Sequence, residues 1–151
     1  MTKIIGDREL RAKLAKLSDL RFLKTYIRGA AEHVAGKISD YPPEGSGNSS
    51  SFPTWYKRGY GTMRRRADGS ITGRQTSEDL GLSWLGGVDV ESNTRAVIGN
   101  DASYGKWVQG GDTQTAIMHD IGWKTTDTVV KEESAEVLKQ IQKAVDKELR
   151  K

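Results

Sequence analysis

Two runs of apolar residues spaced alternately three and four apart, one in each half of the chain, set the frame for everything between them. In the first, Leu20, Leu23, Ile27, Ala30 or Ala31, Val34 and Ile38 share one stripe for about five helical turns. In the second, Val130, Val137, Leu138, Ile141, Val145 and Leu149 keep the same period from a start near Thr126-Asp127. An isolated stripe of this kind gains little in water, so both helices need a common core to bury it. A shorter helix is predicted ahead of them from Leu10, Leu14 and Leu17, with Asp7 placed to cap it and Ser18-Asp19 placed to cap the next. Gly29 weakens the long helix by about 1 kcal/mol relative to Ala and reads as a packing accommodation. Tyr41-Pro42-Pro43 ends that helix, because Pro lacks the amide donor and restricts the residue before it. On the last helix, Glu132, Glu133 and Glu136 near the start and Lys147, Arg150 and Lys151 at the end follow the order that complements the helix dipole.

The middle of the chain has a different period. Leu80, Leu82 and Trp84 alternate, followed by Val88 and Val90 and then by Ala96, Val97 and Ile98, so strands are expected here. A turn at Asn93 would pair Val88–Glu91 with Arg95–Gly99, and Tyr104–Val108 is expected to add a short strand. Two segments stand apart from this sheet. Residues 44–51, a Gly/Ser/Asn run, bury too little to offset their ordering entropy and are expected to form a mobile loop. Residues 57–75 read as a hairpin arm turning at Asp68-Gly69, with so little apolar material that it projects and orders on a partner. The expected fold class is therefore α+β, in one domain over residues 1–151: a small antiparallel sheet of three to four strands, a long helix, a C-terminal helix and a projecting basic arm.

Charge is distributed unevenly. Lys57, Arg58, Arg64, Arg65 and Arg66 place +5 in ten residues, whereas Leu85–Val130 holds six acids against three bases, or −3. Basic residues interleaved with Trp55, Tyr56 and Tyr60 suit a phosphate backbone with stacked bases, and suit an acidic protein surface equally. No window is long and apolar enough for a membrane span or a signal peptide, so the expectation is an intracellular product with no membrane partner.

Chemistry has few residues to work with. The chain has no Cys and two His, which removes disulfides, thiolate metal sites and cysteine nucleophiles. His33 has Lys37, not a ligand, four residues on, and reads as structural. His119 stands beside Asp120, but no Gly-x-Ser-x-Gly elbow accompanies it and Ser83 falls within an expected strand. Asp89 and Glu91 on one strand face read as solvated carboxylates rather than a hydrolase pair. The expectation is a protein without catalytic residues, cofactor or metal. Of the four Trp, Trp84 and Trp107 are expected in the core, and Trp123 is a candidate interface anchor.

Several short strings then occur in a telling order: Thr76-Ser77-Glu78-Asp79-Leu80-Gly81-x-Ser83-Trp84, Ala96-Val97-Ile98-Gly99-Asn100-x-x-x-Tyr104, Val108-Gln109-Gly110 and His119-x-x-Gly122-Trp123-Lys124. This set resembles a family of siphophage tail-component proteins, the neck or tail completion proteins of lambda-like tailed phages. The resemblance covers most of the chain, including Arg58-Gly59-Tyr60-Gly61 in the arm, and rests on order and spacing rather than on one motif. The small residue usual after that Tyr is Gly105 here, a mild departure. The resemblance implies an α+β virion subunit at the head-proximal end of the tail, acting in tail completion and head–tail joining. Its implied partners are the tail terminator, the head-closure ring and further copies of itself in a ring near the exiting DNA. On that reading Arg58, Tyr60, Arg64, Arg65 and Arg66 meet an adjacent subunit or the next ring, with His119 and Trp123 supporting the loop before the last helix. The competing readings are a small nucleic-acid-binding module using the same arm and, more weakly, a hydrolase using His119.

Overall fold

The computed structural model describes residues 7–45, 47–73, 76 and 78–150, and the side chains from residue 11 onward. The expected Asp7 cap, the Leu10 portion of the first stripe, Ser77 and the terminal Lys151 lie outside the described residues. The architecture is α+β. Helix α1 (Asp7–Ser18) leads through a 3-10 turn at Leu20–Phe22 into α2 (Leu23–Ile38), and the turn is capped by Asp19, whose carboxylate accepts the Arg21 amide. The chain closes with α6 (Thr126–Leu149), capped by Thr125 accepting the Thr128 amide, and α6 packs along α2 and α1. His33 on α2 joins the pair from the polar side, its Nε2–H donating to Glu133 of α6 at 2.7 Å.

The phase of α6 differs from the expected stripe. Val129 and Ala144 are buried and Val137, Ile141 and Val145 are half-buried, while Val130 and Leu138 face outward. Two of the acids assigned to the dipole also have tertiary partners, since Glu132 accepts from Lys124 at 2.6 Å and Glu133 from His33. Gly29 admits no neighbour: a Cβ built there meets nothing within 4 Å.

Three antiparallel strands, β1 (Thr54–Lys57), β2 (Gly61–Arg65) and β3 (Ile71–Thr72), form one sheet in sequence order. The expected arm is thus the second and third strands of a three-stranded sheet, with β2 in the middle, and β1 supplies the apolar side chains that the arm lacks. Trp55 and Tyr56 of β1 are buried, and Gly69 at φ +82° closes the Asp-Gly turn where a side chain would be strained. A second ladder pairs β4 (Val88–Asp89) with β5 (Val97–Ile98), shorter than expected but in the expected antiparallel sense.

Two expected strands are helices. Residues Asp79–Gly86 form α3, with Leu80, Gly81 and Trp84 inward and Leu82 and Leu85 outward, because positions four apart satisfy the helical period as well as the strand period. Gly105–Gln109 forms α4, with Gly105, Val108 and Gln109 inward, so that Trp107, expected in the core, is exposed. Helix α5 (Ala116–Ile121) then lies against β1. The core joins these elements: Val34 and Ile38 from α2, Tyr56 from β1, Leu80 and Trp84 from α3, and Trp123 before α6.

Residues 44–51, expected to be mobile, are tied down at Asn48. Its buried side chain donates to the Pro42 carbonyl at 3.2 Å and accepts the Tyr56 amide at 2.6 Å. Ser39, C-capping α2 ahead of Pro42 and Pro43, marks the helix end expected from those prolines.

Candidate interface: the basic arm and the aromatic cavity at its base

Side chains alternate across a strand, and directly paired residues share a face. Thr54 is paired with Arg64 and Tyr56 with Thr62, so Thr62, Arg64 and, two residues on, Arg66 follow the face that carries Tyr56 at its base. Arg65 is on the other face, where its guanidinium donates to the Ser50 carbonyl at 2.9 Å and sits 5.8 Å from the centre of the Trp55 ring. The arm arginines therefore divide. Arg65 is used within the chain, whereas Arg64 and Arg66 are exposed with no ion pair among the described residues. At the arm's base Arg58 donates to Glu78 at 3.3 Å and lies over the Tyr41 ring, and Lys57 lies 4.7 Å from the centre of the exposed Tyr60 ring.

Below this base is an aromatic cluster. Tyr41 stacks on Tyr56 with centroids 5.4 Å apart, and Trp123 meets both rings edge-on at 5.3 and 5.2 Å. Gly81 permits the approach, since a Cβ there would stand 2.9 Å from the Tyr41 hydroxyl. That hydroxyl donates to the Glu78 carbonyl, and burial pushes both Tyr41 and Tyr56 above the usual phenol range. Trp123 is only 6% exposed, so it is a floor residue rather than the surface anchor expected of it. Its Nε1–H is buried with no acceptor among the described residues, a state that costs about 1–3 kcal/mol.

A cavity of about 550 Å³ opens beside this cluster, between the first residues of β2, the start of α3 and helices α4 and α5. Its walls include Tyr41, Tyr56, Tyr104 and Trp123, together with Glu78 and Asp79 and no basic residue among the described ones. Glu78 adopts φ +59°, a left-handed conformation that costs a residue with a Cβ roughly 1–2 kcal/mol. The adjoining cleft of about 760 Å³ mixes Lys37, Arg58 and Lys124 with Asp40, Glu132 and Glu133, and so presents no single sign.

His119 sits on α5, exposed, with Nδ1 3.3 Å from Asp120. Ser83 is on a helix, not a strand, and its hydroxyl accepts the Asp101 amide at 2.8 Å. No hydrogen bond joins it to His119 among the described residues. Nor do three or more His, Asp or Glu converge there as a metal site. Among the described residues no helix is long and apolar enough to cross a membrane.

The arm and Trp123 are thus brought together through Tyr56, and His119 is held nearby because α5 lies on β1. Sequence reasoning gave no role to Asp79 or Tyr104, although both stand inside the ordered strings. Their signal was present only as position. Comparison of this chain with protein-family models, with curated proteins and with solved structures gives no match.

Proposed function

We propose that this protein is a structural virion subunit of a tailed phage, acting at the neck in tail completion and head–tail joining through protein–protein contacts. The observation that carries the reading is the division of the arm. Arg64 and Arg66 are exposed at the end of a sheet whose base, Trp55 and Tyr56, is buried, and neither has an ion pair among the described residues. A charged, solvated edge on a packed base is what a subunit needs to recognise a neighbour of opposite sign without collapsing onto itself. The ordered strings of the sequence supply the phage context. The tail terminator, the head-closure ring and further copies of the chain are the partners on this reading, in the virion and, before assembly, in the host cytoplasm.

The nucleic-acid reading loses support at the same place. It needs Trp55, Tyr56 and Tyr60 as stacking surfaces, and the first two are 7% and 9% exposed. Of the three only Tyr60 is exposed, and the Lys57 ammonium lies over one side of its ring. A phage deleted for this gene tests the proposal by electron microscopy of its lysates. Full heads beside separate tails, converted to joined virions by the added protein, are expected. Normal infectious particles from the deletion would remove the neck assignment.

A further inference from the structure

We propose that Asp68-Gly69, at the tip of the arm, is a site of spontaneous covalent modification, where the chain closes to a cyclic imide and reopens as isoaspartate, and that the folded turn gates the conversion. The inference goes beyond the neck reading and does not depend on it.

The sequence provides one such place. Ring closure brings the main-chain nitrogen after an Asp onto that residue's own side-chain carbon, and a Cβ on the following residue hinders the approach. Asp68 is the one Asp of the chain followed by Gly, and no Asn is followed by Gly. The fold leaves the pair uncovered. Both residues are exposed, and a Cβ built at Gly69 meets nothing within 4 Å. Once the turn opens, the glycine gives the nitrogen the backbone freedom that closure requires.

The step balances with water as its only other reactant. The Gly69 nitrogen attacks Cγ of the protonated Asp68 carboxyl, a C–N bond forms, and the amide proton leaves with the carboxyl hydroxyl as one water. Water then adds to an imide carbonyl. Addition at the main-chain carbonyl of residue 68 breaks its bond to the Gly69 nitrogen, which takes up a proton, and frees that carbon as a carboxylate. The chain then runs through Cβ and Cγ of residue 68, one carbon longer, with mass and oxidation state unchanged.

The closed turn holds the reacting groups apart. The Gly69 amide donates to the Arg66 carbonyl at 2.9 Å, while Asp68 Oδ1 accepts the Ser70 amide at 2.9 Å. The nitrogen is thus engaged with the residue before the pair and the carboxylate with the residue after it. A further bond, from the Arg66 amide to the Ser70 carbonyl at 2.8 Å, locks the two flanks together. The Ser70 hydroxyl and amide also keep the Asp68 carboxyl below its ordinary value of 3.8, so that less of it is in the protonated form that expels water. Conversion therefore waits on opening of the hairpin tip, where β3 is two residues long.

Timed incubation of the full chain at mildly acidic pH, one sample folded and one unfolded in guanidinium chloride, tests both halves of the proposal. Isoaspartate is measured by methyl transfer from S-adenosylmethionine with an isoaspartyl methyltransferase and located by peptide mapping. Isoaspartate is expected at residue 68 ahead of every other Asp, with a transient peptide lighter by one water, and to form about tenfold or more slowly in the folded chain. D68E, which would have to close a six-membered ring, is expected to lose the signal from that peptide in the guanidinium sample, where folding does not enter. Isoaspartate absent from residue 68 in guanidinium, no more abundant there than elsewhere, or retained in D68E, overturns the site. Equal rates in the folded and unfolded samples overturn the gate.

Discussion

A single buried amide, Gln109, holds three helices together. Its Nε2 donates to the last carbonyl of α2, at Ile38, and its Oε1 accepts the Trp84 indole N–H of α3, both at 2.7 Å. The first bond satisfies one of the orphan carbonyls that every helix leaves at its C-terminus. Gln109→Leu strands both partners, and a loss of about 2–4 kcal/mol is expected in urea unfolding, with the midpoint shifted and the slope kept. Gly29→Ala should act in the other direction. The added methyl meets nothing, so the helix gains roughly 0.5–1 kcal/mol and the melting temperature rises. The sequence distinguishes these two residues poorly. Gly29 is visible as a helical glycine, but the worth of Gln109 depends on partners 25 and 71 positions away, which no local spacing reveals. Trp123 and Trp107 make the same point. Their expected roles are reversed in the fold because local spacing does not show which elements cover each ring.

Among the elements, length decided what could be read in advance. The stripes on α2 and α6 persist for several turns, so both helices were legible with nearly their observed ends, although the inward face of α6 is rotated from the expected one. Helices α3 and α4, with eight and five residues, are too short for the helical period to outweigh an accidental alternation. The hairpin turn was legible for a chemical reason. Asp68 accepts the Ser70 amide at 2.9 Å and Gly69 takes the positive angle, so the Asp-Gly pair dictates the turn locally. The bonds from Ser70, its hydroxyl first, hold the Asp68 carboxyl below its ordinary value of 3.8. A depressed carboxyl stabilises the folded turn fully above that ordinary value and loses the contribution as pH falls through the lowered one. Amide exchange at Ser70 and Gly69 is therefore expected to accelerate, relative to the rest of β2–β3, as the solution is acidified below about pH 3.8. Unchanged relative protection would show that Asp68 does not hold the turn.

For the molecule as a whole, the aromatic cluster couples sheet, helices and cavity, and its two phenols report on it. Tyr41 and Tyr56 are both raised above 10.0 by burial, which disfavours the phenolate. The unfolded chain releases these protons near pH 10 while the folded chain retains them, so the stability they contribute is complete below that pH and falls as pH rises above it. Ultraviolet titration should show two phenols ionising late, together with alkaline unfolding, and Tyr56→Phe should flatten that loss. The central claim concerns assembly, and purified protein added to a lysate of gene-deleted phage tests it most directly. Wild-type protein is expected to convert separate heads and tails into joined, infectious virions, and folded R64E/R66E is expected to leave them apart. Equal restoration of infectivity by R64E/R66E would contradict the account, because the arm would then have no part in joining head to tail.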